Sequence, residues 1–286
     1  MLKISIITPS YNQGQYLEET IQSVLDQKYP NLEYIIMDGG STDNSVEIIK
    51  KYESQLAHWE SKPDGGQSDA INKGFNMASG DILAWLNSDD YYTPDTLHQV
   101  SDLFTRDDLK IVFGECALYH EKSGKVKDSR VFEYAQSHKI EYSDYIIQPS
   151  CFWTKKTWEL VGDLDEKLTY TFDWEWYIRA KRAGIHFQAV DKTWSVYRYH
   201  EQHKTGTGGC QREEELARIY SHYHSELLGQ KYLQRRSMQD KILISNGMNR
   251  ILSWIGLRGS IDARKPIYRK YFSELSWEEF LGIARM

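Results

Sequence analysis

The sequence predicts an α/β fold: a mixed, mainly parallel sheet flanked by helices, followed by a helical C-terminal extension. Three observations predict it. The first hundred residues alternate short apolar runs with amphipathic segments, the rhythm of parallel strands joined by right-handed helical crossovers. The run Ile82 to Leu86 is apolar throughout, as suits a strand buried on both faces, and is followed closely by two adjacent carboxylates, Asp89 and Asp90. Beyond Gln211 strand-like runs cease and the remaining third reads as helix.

The elements follow in order. Lys3 to Thr8 predicts a strand, and Leu17, Ile21, Val24 and Leu25 then share one face of a helix. Glu33 to Asp38 predicts the second strand; Ser41, Thr42 or Asp43 can cap a helix with Val46, Ile49 and Tyr52 inward. His58 to Lys62 predicts a short third strand. Ala70, Ile71, Gly74, Phe75 and Ala78 mark the next helix, and Asp81 to Leu86 the fourth strand. After Pro94 a helix through Val100 to Phe104 leads to a strand at Ile111 to Gly114 and a hairpin turning at Ser123-Gly124. Ile146 to Thr154 reads as strand or loop, Asp173 to Ala183 as helix, and Phe187 to Tyr199 as one or two strands.

Composition narrows the class. Hydrophobic residues make up 40% and charged residues 27%, which is ordinary for a globular protein. No apolar stretch approaches the ~20 residues of a spanning helix, and no signal-peptide pattern opens the chain. Cys116, Cys151 and Cys210 are odd in number and scattered, so reduced thiols and a cytoplasmic location are expected, not a disulfide framework or a structural zinc. The net charge of −6 hides an asymmetry: residues 230–271 carry +8, leaving −14 on the remainder. An acidic body with a basic tail gives no nucleic-acid footprint on the main fold, so nucleic acid is not expected as a partner.

Polar ligand chemistry recurs where successive strands end. Thr8-Pro9-Ser10-Tyr11 precedes a helix N-terminus, where hydroxyls suit a nucleotide or simply cap the helix. Asp38 closes the second strand before Gly39-Gly40; its carboxylate can accept N–H bonds from a base, or form an ordinary turn. Asp64-Gly65-Gly66 leads into a helix carrying Asn72 and Lys73, and Lys73 can meet a phosphate or remain a solvated surface charge. Asn87, Ser88, Asp89 and Asp90 follow the fourth strand, where open α/β sheets bind ligands. Adjacent carboxylates repel unless a cation or a donor-rich ligand joins them. The fingerprints of dinucleotide-binding and Walker-type loops are absent.

Taken together, Thr-Pro-Ser-Tyr-Asn, Asp-Gly-Gly-Ser-Thr-Asp, Pro-Asp-Gly-Gly-Gln-Ser-Asp-Ala-Ile-Asn-Lys-Gly and Leu-Asn-Ser-Asp-Asp resemble a family 2 glycosyltransferase of GT-A (Rossmann-like) fold. The similarity continues through Gln148-Pro149-Ser150-Cys151-Phe152-Trp153, Phe172-Asp173-Trp174-Glu175-Trp176 and Tyr197-Arg198-Tyr199-His200, covering roughly residues 1–210. The resemblance implies inverting transfer from a nucleotide-diphosphate sugar, a UDP-sugar by family analogy, to a glycan or lipid-linked acceptor in surface polysaccharide synthesis. It implies that Thr8, Pro9, Ser10, Tyr11 and Asp38 form the base pocket. Asp64, Gly65, Gly66, Asn72, Lys73, Asn87 and Ser88 would complete the nucleotide-sugar site. It further implies Mn²⁺ or Mg²⁺ at Asp89, with Asp90 and His200 near it, since hard cations prefer oxygen and such a Lewis acid stabilises a diphosphate leaving group. Asp173 matches the family's catalytic base, although on spacing alone it reads as the cap of the following helix. Gln148, Pro149, Trp153 and Arg198 would lie on the acceptor side. Two departures stand out: Asn87 where the family usually has the first aspartate of its Asp-X-Asp motif, and Gly39 where a second acidic residue is common.

The expected organisation is a catalytic domain over 1–228, divided into a nucleotide-sugar half (1–105) and an acceptor half (106–210), with an amphipathic extension over 229–286. Within the extension, Ile244, Met248, Ile251, Leu252 and Ile255 share a helical face near Trp254, and Arg258, Arg264, Lys265, Arg269 and Lys270 follow. Such a segment can lie on an anionic membrane surface or pack on protein, a homodimer partner included. Two rival readings remain at this point. A nucleotidyltransferase would use a triphosphate and need no base at Asp173, and an inactive nucleotide-sugar-binding module would rest on Asn87.

Overall fold

The computed structural model describes residues 1–254 and 262–284. It divides into two compact units, Met1–Ser137 with Tyr145–Thr207, and His138–Asp144 with Gly208–Met286. The division therefore falls at 207/208, and the boundary expected at 228/229 lies inside a helix.

In the first unit β1 (Ile4–Ser10), α1 (Gly14–Leu25), β2 (Leu32–Asp38), α2 (Ser45–Tyr52), β3 (His58–Ser61), α3 (Gln67–Met77) and β4 (Ile82–Trp85) alternate as expected. There follow β5 (Tyr91–Tyr92), α4 (Thr96–Ser101), β6 (Lys110–His120), β7 (Lys125–Asp128), α5 (Val131–Ser137), β8 (Cys151–Thr154), α6 (Lys155–Val161), α7 (Phe172–Arg182), β9 (His186–Tyr199) and α8 (Lys204–Thr207). One sheet runs in the order β3-β2-β1-β4-β8-β6-β9-β5, with β7 paired to β6. Strands β1 to β4 are mutually parallel, and β8 joins β4 antiparallel.

The pleat of β1 explains how both faces become core. Ile4 and Ile6 pack with Leu17, Ile21, Val24, Ile36 and Ile48 on one side. Ile7 points to the other, where α3 comes so close that a Cβ on Gly74 would lie 2.4 Å from Ile7 Cγ2. Each such fully buried aliphatic contributes about 1.5–3 kcal/mol. On that second face Trp85, Trp153, Trp158 and Trp176 form one aromatic cluster with Phe75, ring centroids 4.5–6.3 Å apart.

Several expectations shift. The α2 face turned inward is Ser45, Ile48 and Ile49, one step from the expected stripe. Helix α4 starts at Thr96, earlier than expected, because Pro94 and the left-handed Asp95 (φ 67°) turn the chain just before it. Strand β6 runs on to His120, well past Gly114, since β9 pairs with it along its length and satisfies backbone that local apolarity would not. The expected hairpin is present, with Gly124 at φ +63°.

The second unit contains α9 (Gly209–Tyr223), α10 (Glu226–Arg235), α11 (Gln239–Trp254), α12 (Lys265–Tyr271) and α13 (Trp277–Ile283). Its core is Leu216, Ile219, Tyr220, Leu228, Tyr232, Phe272, Phe280 and Ile283. Gly229 lets α9 and α10 touch, because a Cβ there would sit 2.6 Å from the Ala217 carbonyl oxygen. Ser225 caps α10, and Ser276 with Glu279 forms a capping box on α13. Of the α11 stripe, Ile244 and Met248 face outward. Ile255 and Arg258 of that stripe and its basic continuation lie outside the described residues, as do the side chains of Ile251, Leu252 and Trp254. Among the described residues no helix is long and apolar enough to cross a membrane.

Candidate active site

The parallel strands end together. Ser10 is level with Asp38, Asp38 with Ser61, and Ile7 with Trp85, so the loops after β1, β2, β3 and β4 crowd one edge of the sheet. The site is built from those four loops and from the segments around Phe172 and His200.

At the first two loops most of the predicted side chains face inward. Thr8 is wholly buried with its hydroxyl 3.0 Å from the Tyr34 hydroxyl, and Pro9 and Ser10 are buried too. Strand β1 is central, flanked by β2 and β4 and covered on both faces, so only Tyr11 emerges, 63% exposed. Asp38 is 2% exposed, and its oxygens already serve the loop. Oδ2 accepts from Gly40 N–H (3.1 Å), Ser41 N–H (2.9 Å) and the Ser61 hydroxyl (2.7 Å), and Oδ1 accepts from the Ser41 hydroxyl (2.6 Å). Asp38 thus holds the β2 loop in shape, whereas the sequence suggested an acceptor open to a base.

The β3–α3 loop fits against it. Asp64 accepts from Gly66 N–H (2.8 Å) and fills the space beside Gly39, where a Cβ would lie 2.9 Å from its Oδ2. The absent second acid at position 39 is thus matched by Asp64 across the loop. Burial, with Asp69 and Asp38 nearby, raises the Asp64 carboxyl above its usual range. Gly65 N–H donates to Asp69 (2.7 Å), and Gly66 adopts φ +116° with open space around it. Asn72 departs from expectation. It is buried on the inner side of α3, donating to Leu164 O (3.0 Å) and accepting Leu164 N–H (2.9 Å), so it clamps a distant loop and presents nothing to a ligand. Lys73 pairs with Asp69 at 2.8 Å, one helical turn away.

The β4 loop is the most heavily bonded. Asn87 accepts from the Gln67 amide (2.7 Å) and donates to Asp90 (3.2 Å), while Gln67 accepts from Lys204 Nζ (2.7 Å). Ser88 donates to Gln13, and the same Gln13 donates to Asp89 Oδ2 (3.0 Å). His200 Nε2 stands 3.0 Å from that oxygen. Asp90, expected beside a metal, instead turns into the protein: it is 1% exposed and accepts Arg198 N–H at 3.1 Å. Burial, then its neighbour Asp89, raises the Asp90 carboxyl well above the usual range. Arg198, expected on the acceptor side, lies behind the loop. It donates to Asp89 O (3.1 Å), pairs with Glu19, and is ringed by Tyr16, Tyr91 and Tyr119.

On the other flank Gln148 donates to Trp85 O (2.8 Å), its Oε1 buried without a hydrogen-bond partner, and Pro149 is buried beside it. Trp153 belongs to the aromatic core at 0% exposure, between β4 and β6, and reaches no acceptor. Asp173 is the second residue of α7; Thr171 occupies the cap position expected for it. Its neighbour Phe172 packs on Trp85 (6.2 Å between rings) and lies under Lys204 Nζ, 5.2 Å from the ring centroid. Contacts therefore run without a break from Asp89 and Asp90 through Asn87, Gln67 and Lys204 to Phe172. Asp64 joins the same chain through Gly66 and Gln67, and Asp38 lies behind Asp64.

Sequence reasoning left Gln13 and Gln67 unassigned, although Gln13 follows one quoted motif at the cap of α1 and Gln67 lies within another at the first position of α3. Among the described residues no three His, Cys, Asp or Glu side chains gather as a metal cluster. What does stand together is one carboxylate and one imidazole, Asp89 and His200. That donor set suits a divalent cation completing its shell with phosphate oxygens and water.

Known proteins resemble this chain in sequence or in fold. A glycosyltransferase of Rickettsia typhi, itself uncharacterized, is 27% identical over 270 residues, spanning 89% of this chain and 79% of that protein. The glycosyltransferase GlyG of Streptococcus pneumoniae is 35% identical over 126 residues, 42% of this chain and 41% of that protein. Residues 1–349 of S. aureus TarS, solved in complex with UDP-GlcNAc, superpose with a TM-score of 0.62 at 17% identity, covering 99% of this chain and 78% of that one. The mannosyltransferase PcManGT of Pyrobaculum calidifontis, solved with GDP-Man and Mn²⁺, gives a TM-score of 0.64 at 14% identity, covering 99% and 85%. At such identities the likeness is one of fold, of the GT-A type. The family model Glycosyl transferase family 2 matches residues 5–160. The chain belongs to glycosyl transferase family 2 and is a glycosyltransferase.

Proposed function

We propose that this enzyme transfers a sugar, with inversion, from a nucleotide-diphosphate donor to a hydroxyl of a glycan or lipid-linked acceptor, as in surface polysaccharide synthesis at the cytoplasmic side of a membrane. The unbroken chain of contacts from Asp89 to Phe172 carries the proposal, because it brings the neighbourhood of Asp173 to the edge where β1 to β4 end. Exposed Tyr11 offers a face on which a nucleobase stacks. Gly65 and Gly66 let the donor approach backbone at the start of α3. Lys204, reaching across to Gln67, supplies positive charge to a diphosphate. Asp89 and His200 would hold Mn²⁺ or Mg²⁺, whose contribution when bound is to stabilise the negative charge of the departing nucleoside diphosphate. Asp173 accepts the proton of the acceptor hydroxyl as that oxygen bonds to the anomeric carbon and the bond to the diphosphate breaks. UDP- and GDP-linked sugars are both candidates, since TarS is solved with UDP-GlcNAc and PcManGT with GDP-Man.

The test is a thermal-shift panel of UDP, GDP and their sugar conjugates with Mn²⁺, Mg²⁺ or chelator, followed by product analysis. A ligand at ~100 times its Kd adds about 2.7 kcal/mol of stability. A metal-dependent rise in Tm with one nucleotide, and sugar-dependent release of the diphosphate, are expected. Pyrophosphate release from a triphosphate would instead assign a nucleotidyltransferase, and donor binding without turnover on any acceptor an inactive module.

A further inference from the structure

Helix α11 is built inside out. Its inward side carries Ile242 together with polar Ser245, Asn246 and Asn249. These polar groups are satisfied. Asn246 donates to Ala284 O (3.4 Å), Asn249 donates to Asp262 (2.8 Å) and accepts Ala263 N–H (2.8 Å), and the Ser245 hydroxyl donates to Ile242 O (2.8 Å). The outward side carries Leu243, Ile244 and Met248 at 58%, 65% and 51% exposure, with Gly247 between them open to space. At 100° per residue these four positions span one arc of about 140°. A helix held to its own unit by amides while it turns Leu243, Ile244 and Met248 outward needs a partner for that face.

The charges beside the ridge identify the partner. Lys241 of α11 and Lys270 of α12 flank the same Tyr271 ring at 5.4 and 5.1 Å. Lys265 and Arg269 are exposed on α12 as well. Arg264 does not join them, being paired with Asp262 at 2.7 Å. This cationic border lies in the one segment, 230–271, that is strongly basic in an otherwise acidic chain. We propose that the outer face of α11 with the adjoining end of α12 docks on an anionic lipid bilayer, Leu243, Ile244 and Met248 entering the headgroup boundary and Lys241 and Lys270 meeting lipid phosphates. A second copy of the chain fits this surface poorly. A two-fold interface would bring two like-charged basic borders together, and three apolar side chains fall far short of the ~800 Å² per partner of a stable interface. The inference is independent of the donor chemistry proposed above.

Co-sedimentation of the full chain with vesicles tests it, using phosphatidylcholine alone and phosphatidylcholine with about one third phosphatidylglycerol. The protein is expected to pellet with the anionic vesicles and to be released by high salt. K241E/K270E should weaken binding by at least about 30-fold, the change that two surface lysines represent. I244E/M248E should lose pelleting while keeping the native circular dichroism and the nucleotide-induced thermal shift; I244Q/M248Q serves if that variant does not fold. Failure to pellet with anionic vesicles, or pelleting that these substitutions leave unchanged, would overturn the proposal. So would a dimer in sedimentation equilibrium that I244E/M248E dissolves, which would assign the ridge to a second copy.

Discussion

His200 Nε2 and Asp89 Oδ2 lie 3.0 Å apart although 111 residues separate them in the chain. Gln13 donates to the same oxygen from the β1 loop, so three segments fix one carboxylate. An anchored carboxylate beside an imidazole loses little conformational freedom on taking up a cation. Asp89→Asn is expected to abolish the Mn²⁺-dependent part of the nucleotide thermal shift. Gln13→Ala, which removes the bonds to Asp89 and Ser88 but no cation ligand, should weaken metal affinity about 10- to 100-fold. A metal titration at fixed nucleotide reads both, and unchanged metal dependence in Asp89→Asn would remove this carboxylate from the site.

Asp173 carries the second prediction. Replacing its carboxylate with an amide keeps size and removes basicity, so Asp173→Asn should bind donor with unaltered affinity and lose about 10²–10⁴-fold in transfer rate. Calorimetric donor affinity beside an acceptor-dependent turnover assay separates the two effects. Full transfer in this variant would leave α7 without a catalytic part.

Asn72 is expected to behave as a structural residue. Asn72→Ala removes the partners of the Leu164 N–H and carbonyl in a buried setting, which costs about 1–3 kcal/mol. Urea denaturation should show the loss, while donor affinity of the folded enzyme stays at the parental value. Reduced donor affinity at full stability would return Asn72 to the nucleotide site.

Glu33 predicts the acid limb of stability. Burial alone would raise its carboxyl, but hydrogen bonds from Lys3 Nζ (2.5 Å), the Ser5 hydroxyl (2.5 Å), and the Ser79 N–H and hydroxyl (both 2.7 Å) outweigh burial and hold it at about 2. A carboxyl depressed in the folded state adds stability above its unfolded value of ~4.3, and loses it as pH falls toward 2. The urea midpoint of the parent should therefore fall more steeply between pH 5 and pH 3 than that of Glu33→Gln, the two curves converging at low pH. Parallel curves would show that the pairing contributes nothing.

The sequence by itself determined the alternation of strands and helices through α3, because a period of two or of 3.6 in apolar residues is a local property. It also pointed to the candidate ligand loops, since Asp38 directly closes an apolar run, Asp89 follows one after Asn87 and Ser88, and Gly65-Gly66 open a helix. Tertiary structure decided what those side chains face. Thr8 and Trp153 lie inside a sheet whose order no local pattern encodes, Asn72 meets Leu164 across ninety residues, and Asp90 turns inward because Arg198 offers it a backbone N–H. The length of β6 likewise depended on β9, and the outward aliphatic face of α11 on amides that Asp262, Ala263 and Ala284 satisfy. Apolar periodicity reports how much of a helix can be buried; only packing determines which side is.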